Sequence, residues 1–393
     1  SREFSRARRV LVPAADRPGA PAEEVAEAEA LLGSLALWRG DLAEAASRFE
    51  RALALQPGHA EAARQLREIH EWSRPWVEAQ LHLTDDNQPY TRVGGTFLGG
   101  VFLNPLWSAS VRIAPGTLEA GESVTTVDAA AGVRGYLPAA RLEVDAGAGA
   151  IRDSRGGSDP IGFLSLARRM SGESALRLSV ARERYTGTAA SVDTLLLYRR
   201  IELRFDRAAA PGWAGEVVAR AERFPDGNVI RTAYAWALAP VLPFLRAGYA
   251  AAWQDADFST WQQGPAAPGP GVPHTAGPAR YDPYYTPHSA QVHTALAELL
   301  ARLGSASLRF SGAVGVLARE LAPELVTGPA PGQTELQFAE RSFTPWRLTA
   351  TLDLPVNPSW RLRVVGEREA TAFYEVLRVT AGGTYRLGGG RWK

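Results

Sequence analysis

From Trp76 onward the chain alternates between apolar and polar residues with a period of two, over segments of about ten residues. Ile201, Leu203 and Phe205 alternate with Arg200, Glu202, Arg204 and Asp206. Leu142, Val144, Ala146 and Ala148 alternate with Arg141, Glu143 and Asp145; Trp346, Leu348, Ala350, Leu352 and Leu354 alternate with Arg347, Thr349, Thr351 and Asp353. Trp107, Ala109, Val111 and Ile113 oppose Ser108, Ser110 and Arg112, and Val77, Ala79, Leu81 and Leu83 oppose Glu78, Gln80, His82 and Thr84. Successive side chains in a strand point to opposite faces, so each segment has one oily and one wet side.

A soluble sandwich also alternates, but three features point to a membrane barrel. A tilted strand of about ten residues spans a bilayer, whereas soluble strands average about five or six. Trp76, Trp107, Trp213, Trp346 and Trp360 stand at segment starts, where interfacial girdles lie. Short turns (Asn104-Pro105, Ala210-Pro211-Gly212, Asn357-Pro358) contrast with the Gly/Pro-rich stretches Arg152–Pro160, Asp255–Pro283 and Ala322–Gln333, expected to be long loops. The apolar run Ala233–Trp253 reads as a hairpin turning at Pro240–Pro243, since Pro inside a helix costs about 3 kcal/mol. Segment centres then predict an antiparallel transmembrane barrel of about sixteen strands. An even count puts both chain ends on one side.

The chain before this barrel reads as helical. Residues 1–21 are Arg- and Pro-rich, a linker or the end of an earlier repeat; 22–74 form a helical segment, and 75–393 the barrel. With Ala26 as position one of a 34-residue unit, Leu32, Gly33, Gly40, Ala45, Phe49, Ala52 and Pro57 fall at tetratricopeptide (TPR) consensus positions. Gly33, Ala45 and Ala52 let two helices approach closely, Phe49 fills the seam, and Pro57 starts the next unit. Ala36 stands where an aromatic is usual.

Composition excludes several functions. The 393 residues carry 43 basic and 42 acidic side chains, a net charge of +1, which argues against nucleic acid as a partner. No cysteine is present, so disulfides, zinc thiolates and thiol catalysis are excluded. The apolar share of 46% argues against wholesale disorder. Nucleophile-elbow, zincin, phosphate-loop and dinucleotide motifs are missing, and neither catalysis nor a cofactor or metal is expected. A barrel hydrolase would need Ser, His and Asp on facing strands. His288 and His293, read as one strand, fall on opposite faces. Asp85-Asp86-Asn87 reads as a polar hairpin tip rather than a Ca²⁺ site.

A TPR segment followed by a C-terminal barrel resembles the bacterial exopolysaccharide exporters, such as the outer-membrane components for cellulose and poly-N-acetylglucosamine. Tyr281-Asp282-Pro283-Tyr284-Tyr285-Thr286-Pro287 is similar to the tyrosine-proline segment that opens a late barrel strand in the cellulose exporters. Those exporters carry many repeats, where one clear unit is visible here. Trp392 resembles the C-terminal aromatic used in barrel assembly, although Lys393 follows it.

The resemblance implies an outer-membrane channel passing a secreted polysaccharide. It implies a periplasmic TPR segment that docks periplasmic or inner-membrane secretion proteins, and lipid around the barrel. The wall expected to line the pore holds Arg141, Arg200, Arg204, Arg347, Arg361 and Arg363, with Glu143, Asp145, Glu202, Asp206, Asp353, Glu367 and Glu369. Tyr281, Tyr284 and Tyr285 are expected to contact glycan. Two alternatives stand beside this: the charges pair and plug the barrel, or the barrel only anchors an envelope or surface assembly.

Overall fold

A computed structural model describes residues 2–38, 40–87, 90–170, 173–192, 195–208, 212–263, 279–281, 283–327, 334–357, 359–372 and 375–388. Trp392 and Lys393, Asp282, Ala210-Pro211, Pro358 and the middle of the Asp255–Pro283 segment lie outside them.

Four helices come first: α1 (Arg2–Ala15), α2 (Ala22–Trp38), α3 (Leu42–Leu55) and α4 (Ala60–Trp72). Residues 1–21, read as a linker or repeat end, therefore hold a helix. The α2/α3 hairpin is close-packed because its seam is small: Ala26, Ala36, Ala45, Ala52 and Phe49 are all fully buried. A methyl built on Gly33 would lie 2.7 Å from the Phe49 ring. Gly40 makes the α2–α3 turn at φ +79°, a backbone that side chains disfavour. Asp41 caps α3 by accepting from the Glu44 N–H at 3.0 Å, and His59 caps α4 by accepting from the Ala62 N–H. Pro57 lies in the α3–α4 turn. Buried Glu29 of α2 holds Arg48 of α3 at 2.9 Å.

Strands follow from Trp76: β1 (Trp76–Asp86), β2 (Tyr90–Asn104), β3 (Trp107–Ala120), β4 (Glu122–Leu137), β5 (Leu142–Asp153) and β6 (Ser158–Arg169). Next come β7 (Ser174–Arg184), β8 (Leu197–Ala208), β9 (Ala214–Arg223), β10 (Val229–Leu242) and β11 (Leu245–Ala256). The short β12 (Trp261–Gln263) and β13 (Ala279–Tyr281) pair with each other. The wall resumes with β14 (Ala290–Leu303), β15 (Ala306–Thr327), β16 (Thr334–Ser342), β17 (Trp346–Asn357), β18 (Trp360–Ala370) and β19 (Glu375–Arg386). Successive staves pair antiparallel, and β1 pairs with β19, which closes the wall into a ring. β16 and β17 both pair with β15, one after the other, and make one stave. The result is a closed antiparallel barrel of sixteen staves.

The register puts the oily sides outward. Val77, Leu81, Val111, Ile113, Ile201, Leu203, Leu348 and Val364 are all more than one third exposed. A water-soluble protein buries such a band; a bilayer covers it. No helix among the described residues is long and apolar enough to cross a membrane. The run Ala233–Trp253 is the β10/β11 hairpin, turning at Pro243-Phe244.

Three expectations about turns and aromatics need correction. Arg152–Pro160 is not a long loop, because β5 and β6 extend into it and leave only residues 154–157. Likewise Ala322–Thr327 is strand, an extension of β15 that pairs with β16. Trp76 faces inward, sharing parity with Glu78 and touching Phe102 at 5.5 Å. Trp107, Trp213 and Trp360 do face outward at the short-turn end, whereas Trp346 lies at the other end of the wall, paired with Ala370.

Candidate functional site

The inward faces build the lumen. Along β8, Arg200, Glu202 and Arg204 point inward and meet Glu222, Arg220 and Val218 of β9 in register. Glu202 is buried between Arg204 at 3.0 Å and Arg220 at 2.8 Å. Arg204 also reaches Glu216 at 3.0 Å, and Arg200 reaches Glu183 at 2.9 Å. A second network lies seven staves away across the sixteen-stave barrel. There buried Glu369 of β18 sits between Arg347 at 2.5 Å and Arg378 at 2.6 Å, and Arg378 also holds Glu367 at 2.7 Å. Nearer the short-turn end, Asp353 takes Arg361 at 3.1 Å and Arg363 at 4.0 Å.

These charges pair along the wall between adjacent strands, not across the lumen. A plug of opposed charges would need bridges between distant staves, and the pairs above join neighbours only. Pairing of this kind is close to neutral for stability; its effect here is a wall that is polar yet locally balanced. Glu143 follows the same rule, with Arg169 at 2.9 Å and Arg134 at 3.5 Å. Asp145 and Asp206 face inward in register with Arg134 and Glu216. Arg141 does not line the pore: it lies in the β4–β5 turn at φ +52°, exposed at the rim.

Aromatic residues on β10 complete the lumen. Tyr234 and Trp236 share inward parity with Thr232, opposite Val218 and Glu216 of β9. They line a cavity of about 830 Å³ with Tyr285, Glu298, Arg309 and Glu369. They lie inside the apolar run Ala233–Trp253, whose hydropathy hides which side each ring takes. Only the pairing register separates inward Tyr234 and Trp236 from outward Tyr249 and Trp253.

At the loop end two segments fold inward. One is the β7–β8 segment, described over residues 185–192 and 195–196, which no sequence period marks. Its 3₁₀ turn at Ala189–Val192 seats Val192 against Tyr90, Leu118 and Val124, the inner face of β2–β4. Its Tyr185 and Leu196 join Phe224, Ile230, Tyr198 and Tyr284 in an aromatic cluster. Tyr284 stacks on Phe224 at 3.6 Å, and its hydroxyl donates to Asp226 at 2.5 Å. Burial and that bond raise the phenol well above its ordinary pKa, so it stays protonated. The two segments are joined where the Thr188 hydroxyl donates to the Pro283 carbonyl at 2.5 Å. Tyr284 is thus 1% exposed and packed, while half-buried Tyr285 donates to Glu320 at 2.5 Å beside the lumen. Tyr281 belongs to β13, paired with Trp261.

The short-turn end is crossed by the helices. The Arg386 guanidinium of β19 donates to the Trp72 carbonyl at 2.6 Å and to that of Glu71 at 3.2 Å, capping α4. The α2–α3 turn meets the end of β6, where a methyl on Gly40 would lie 3.7 Å from the Arg169 guanidinium. β19 and β6 are six staves apart around the rim, so the helical unit spans part of this mouth.

The remaining candidates are structural. Asp85 and Asp86 accept from Thr91 and Tyr90, and Asn87 accepts from the Glu375 N–H, so these three close the hairpin tip. His288 precedes β14 rather than lying on it, and His293 bonds Tyr249 at 2.5 Å. Among the described residues no group of three or more His, Asp or Glu could hold a metal.

Comparison with solved structures fits this geometry. A bacterial polysaccharide outer-membrane secretin matches with a TM-score of 0.57 at 12% identity, over 80% of this chain and 99% of that one. The fold is that of an outer-membrane barrel. CdiB from Acinetobacter baumannii aligns at a TM-score of 0.43 and 10% identity, over 79% of this chain and 60% of that one. OpdK from Pseudomonas aeruginosa aligns at 0.40 and 9%, over 80% and 98%. Neither of these two alignments carries weight beyond a general likeness. No family model and no curated protein matches the sequence.

Proposed function

We propose that this protein is an outer-membrane channel for a secreted polysaccharide, with its helical unit on the periplasmic side. The observation that carries the reading is the lumen: sixteen staves, walls of paired Arg and Glu, and Tyr234 and Trp236 presented inward beside them. Barrels of about sixteen strands leave room for an aqueous path. Locally balanced charges and aromatic faces offer a sugar chain many weak, exchangeable contacts, which favour passage over trapping. The secretin whose fold this barrel shares is described as a polysaccharide protein, which agrees with the reading. The α2/α3 hairpin, built on small residues at TPR positions, would dock secretion proteins from the periplasm or inner membrane.

A second reading is an anchoring barrel without transport. The inward-folded residues 185–192 and the helices at the opposite mouth favour it. Oligosaccharide block of single-channel current separates the two. Transport predicts transient blocks by oligosaccharides, neutral or acidic, on the native channel, shortened in Tyr234→Ala and Trp236→Ala. Current that oligosaccharides never interrupt would count against it.

A further inference from the structure

Most lumen arginines are paired, but one sector departs from this. On the inner wall from β2 to β8 lies a cavity of about 670 Å³. Arg92, Arg112, Arg177 and Arg184 line it with Asp128 and Asp206, beside the paired charges of β8. Among the described residues Arg92 reaches only the Thr186 hydroxyl, at 3.5 Å, and Arg177 only the Ser165 hydroxyl, at 3.4 Å. Arg184 is more unusual: all three of its guanidinium nitrogens are shielded from solvent without a hydrogen-bond partner. One oxygen of Asp128 is likewise unpartnered. Among the described residues none of the four arginines forms an ion pair.

A guanidinium cannot shed its proton to escape this situation. A buried cation without a partner is costly, and natural structures retain one where something else supplies the counter-charge. The carboxylates of Glu183, Glu202 and Glu216 on the same lining are taken up by Arg200, Arg204 and Arg220, so the four guanidinium groups face only Asp128 and Asp206 and leave the sector with a net positive charge. Guanidinium forks match the two oxygens of a carboxylate or phosphate. The volume lies within the range of about 300–1,000 Å³ that holds a small organic ligand, far more than a single ion needs.

We infer that this sector is a binding site for oxyanion groups on the glycan itself, and that the cargo is an acidic polysaccharide bearing carboxylates of the uronate type. Arg92 and Arg112, both exposed to the lumen, are the principal contacts, with Arg177 beside them; the shielded Arg184 adds its charge from behind. The inference rests on the reading of the barrel as a glycan channel and adds the charge of the cargo. Arg184 immediately precedes residues 185–192, so an occupied site lies at the root of the inward-folded segment.

The test is calorimetric titration of the purified full chain in detergent, at low salt, with a hexa-uronate, a neutral glucan hexamer and inorganic phosphate. The uronate is expected to bind, and to bind about ten-fold or more weakly in Arg112→Gln and Arg184→Gln, with the neutral hexamer unaffected by either change. A second readout is independent of binding: removing an unpartnered cation raises the melting temperature of the ligand-free protein in Arg184→Gln, whereas loss of a merely structural arginine lowers it. Uronate binding that is absent, or unchanged in both variants, overturns the site. If the neutral hexamer still binds in that case, the glycan channel survives without it. If no saccharide binds, the channel reading itself fails. Phosphate binding as tight as the uronate means a site for small anions and overturns the assignment to acidic glycan.

Discussion

Gly33 shows how narrowly single residues are constrained. Its hydrogen faces the Phe49 ring at a distance where a methyl has no room, and the ring is fully buried. Gly33→Ala is expected to cost about 1–3 kcal/mol by overpacking, read as an earlier loss of helical circular dichroism on heating while the β signal persists. At the loop end His288 gives a pH-dependent test. Burial lowers its proton affinity, opposed by Asp255 and Glu320, while Phe338 packs edge-on at 5.0 Å. Because the folded pKa is depressed, its contribution to stability is complete above the unfolded value of about 6.5 and is lost as pH falls below it. The native protein should therefore lose melting temperature between pH 7 and pH 5 more steeply than His288→Gln; parallel profiles would rule the imidazole out. Residues such as Gly33 and Phe49 are legible in sequence because spacing alone pairs them. Arg184 and His288 are not, because what sets them apart is a missing hydrogen-bond partner, and partners come from tertiary packing.

Among elements, the strands were the most legible part of the chain. A wall strand needs one wet and one oily side, and that requirement is written locally in residues such as Leu203 and Arg204. The inward segment 185–196 left no comparable mark. Its small residues Ala189, Ala190 and Ser191 have no period, and the wall that Val192 seats on is contributed by β2–β4, about a hundred residues earlier. Within the tyrosine-proline stretch the residues divide: buried Tyr284 is a latch between the two inward segments, while Tyr285 lines the lumen cavity. Tyr284→Ala removes a buried ring, a loss of about 3–5 kcal/mol to the local cluster. Faster proteolysis within residues 185–196, with the barrel intact, is the expected result. An unchanged cleavage rate would mean the aromatic cluster does not hold these segments down. At the other mouth, Arg386→Ala uncaps α4 and frees one of the two contacts that hold the helices on the rim. Hydrogen exchange in α4 should rise selectively; uniform protection would show that the docking does not depend on this cap.

For the molecule as a whole, closure of the sheet makes lumen and lipid face two sides of one pattern. The sequence alternation that commits Leu348 and Val364 to lipid commits Arg347 and Arg363 to water, so a polar interior follows from the membrane-facing exterior. Whether that interior conducts depends on elements that the alternation does not encode: the latched segments at one mouth and the helices at the other. The most direct measurement is single-channel conductance of the full chain in planar bilayers, compared with a variant whose residues 186–195 are replaced by a short Gly-Ser turn. A hydrophilic channel held partly closed by this segment predicts small or intermittent current in the native protein and a large, steady, ohmic conductance in the variant. Silence in both proteins, each shown by its β signal to be folded, would contradict the account and leave an anchoring barrel.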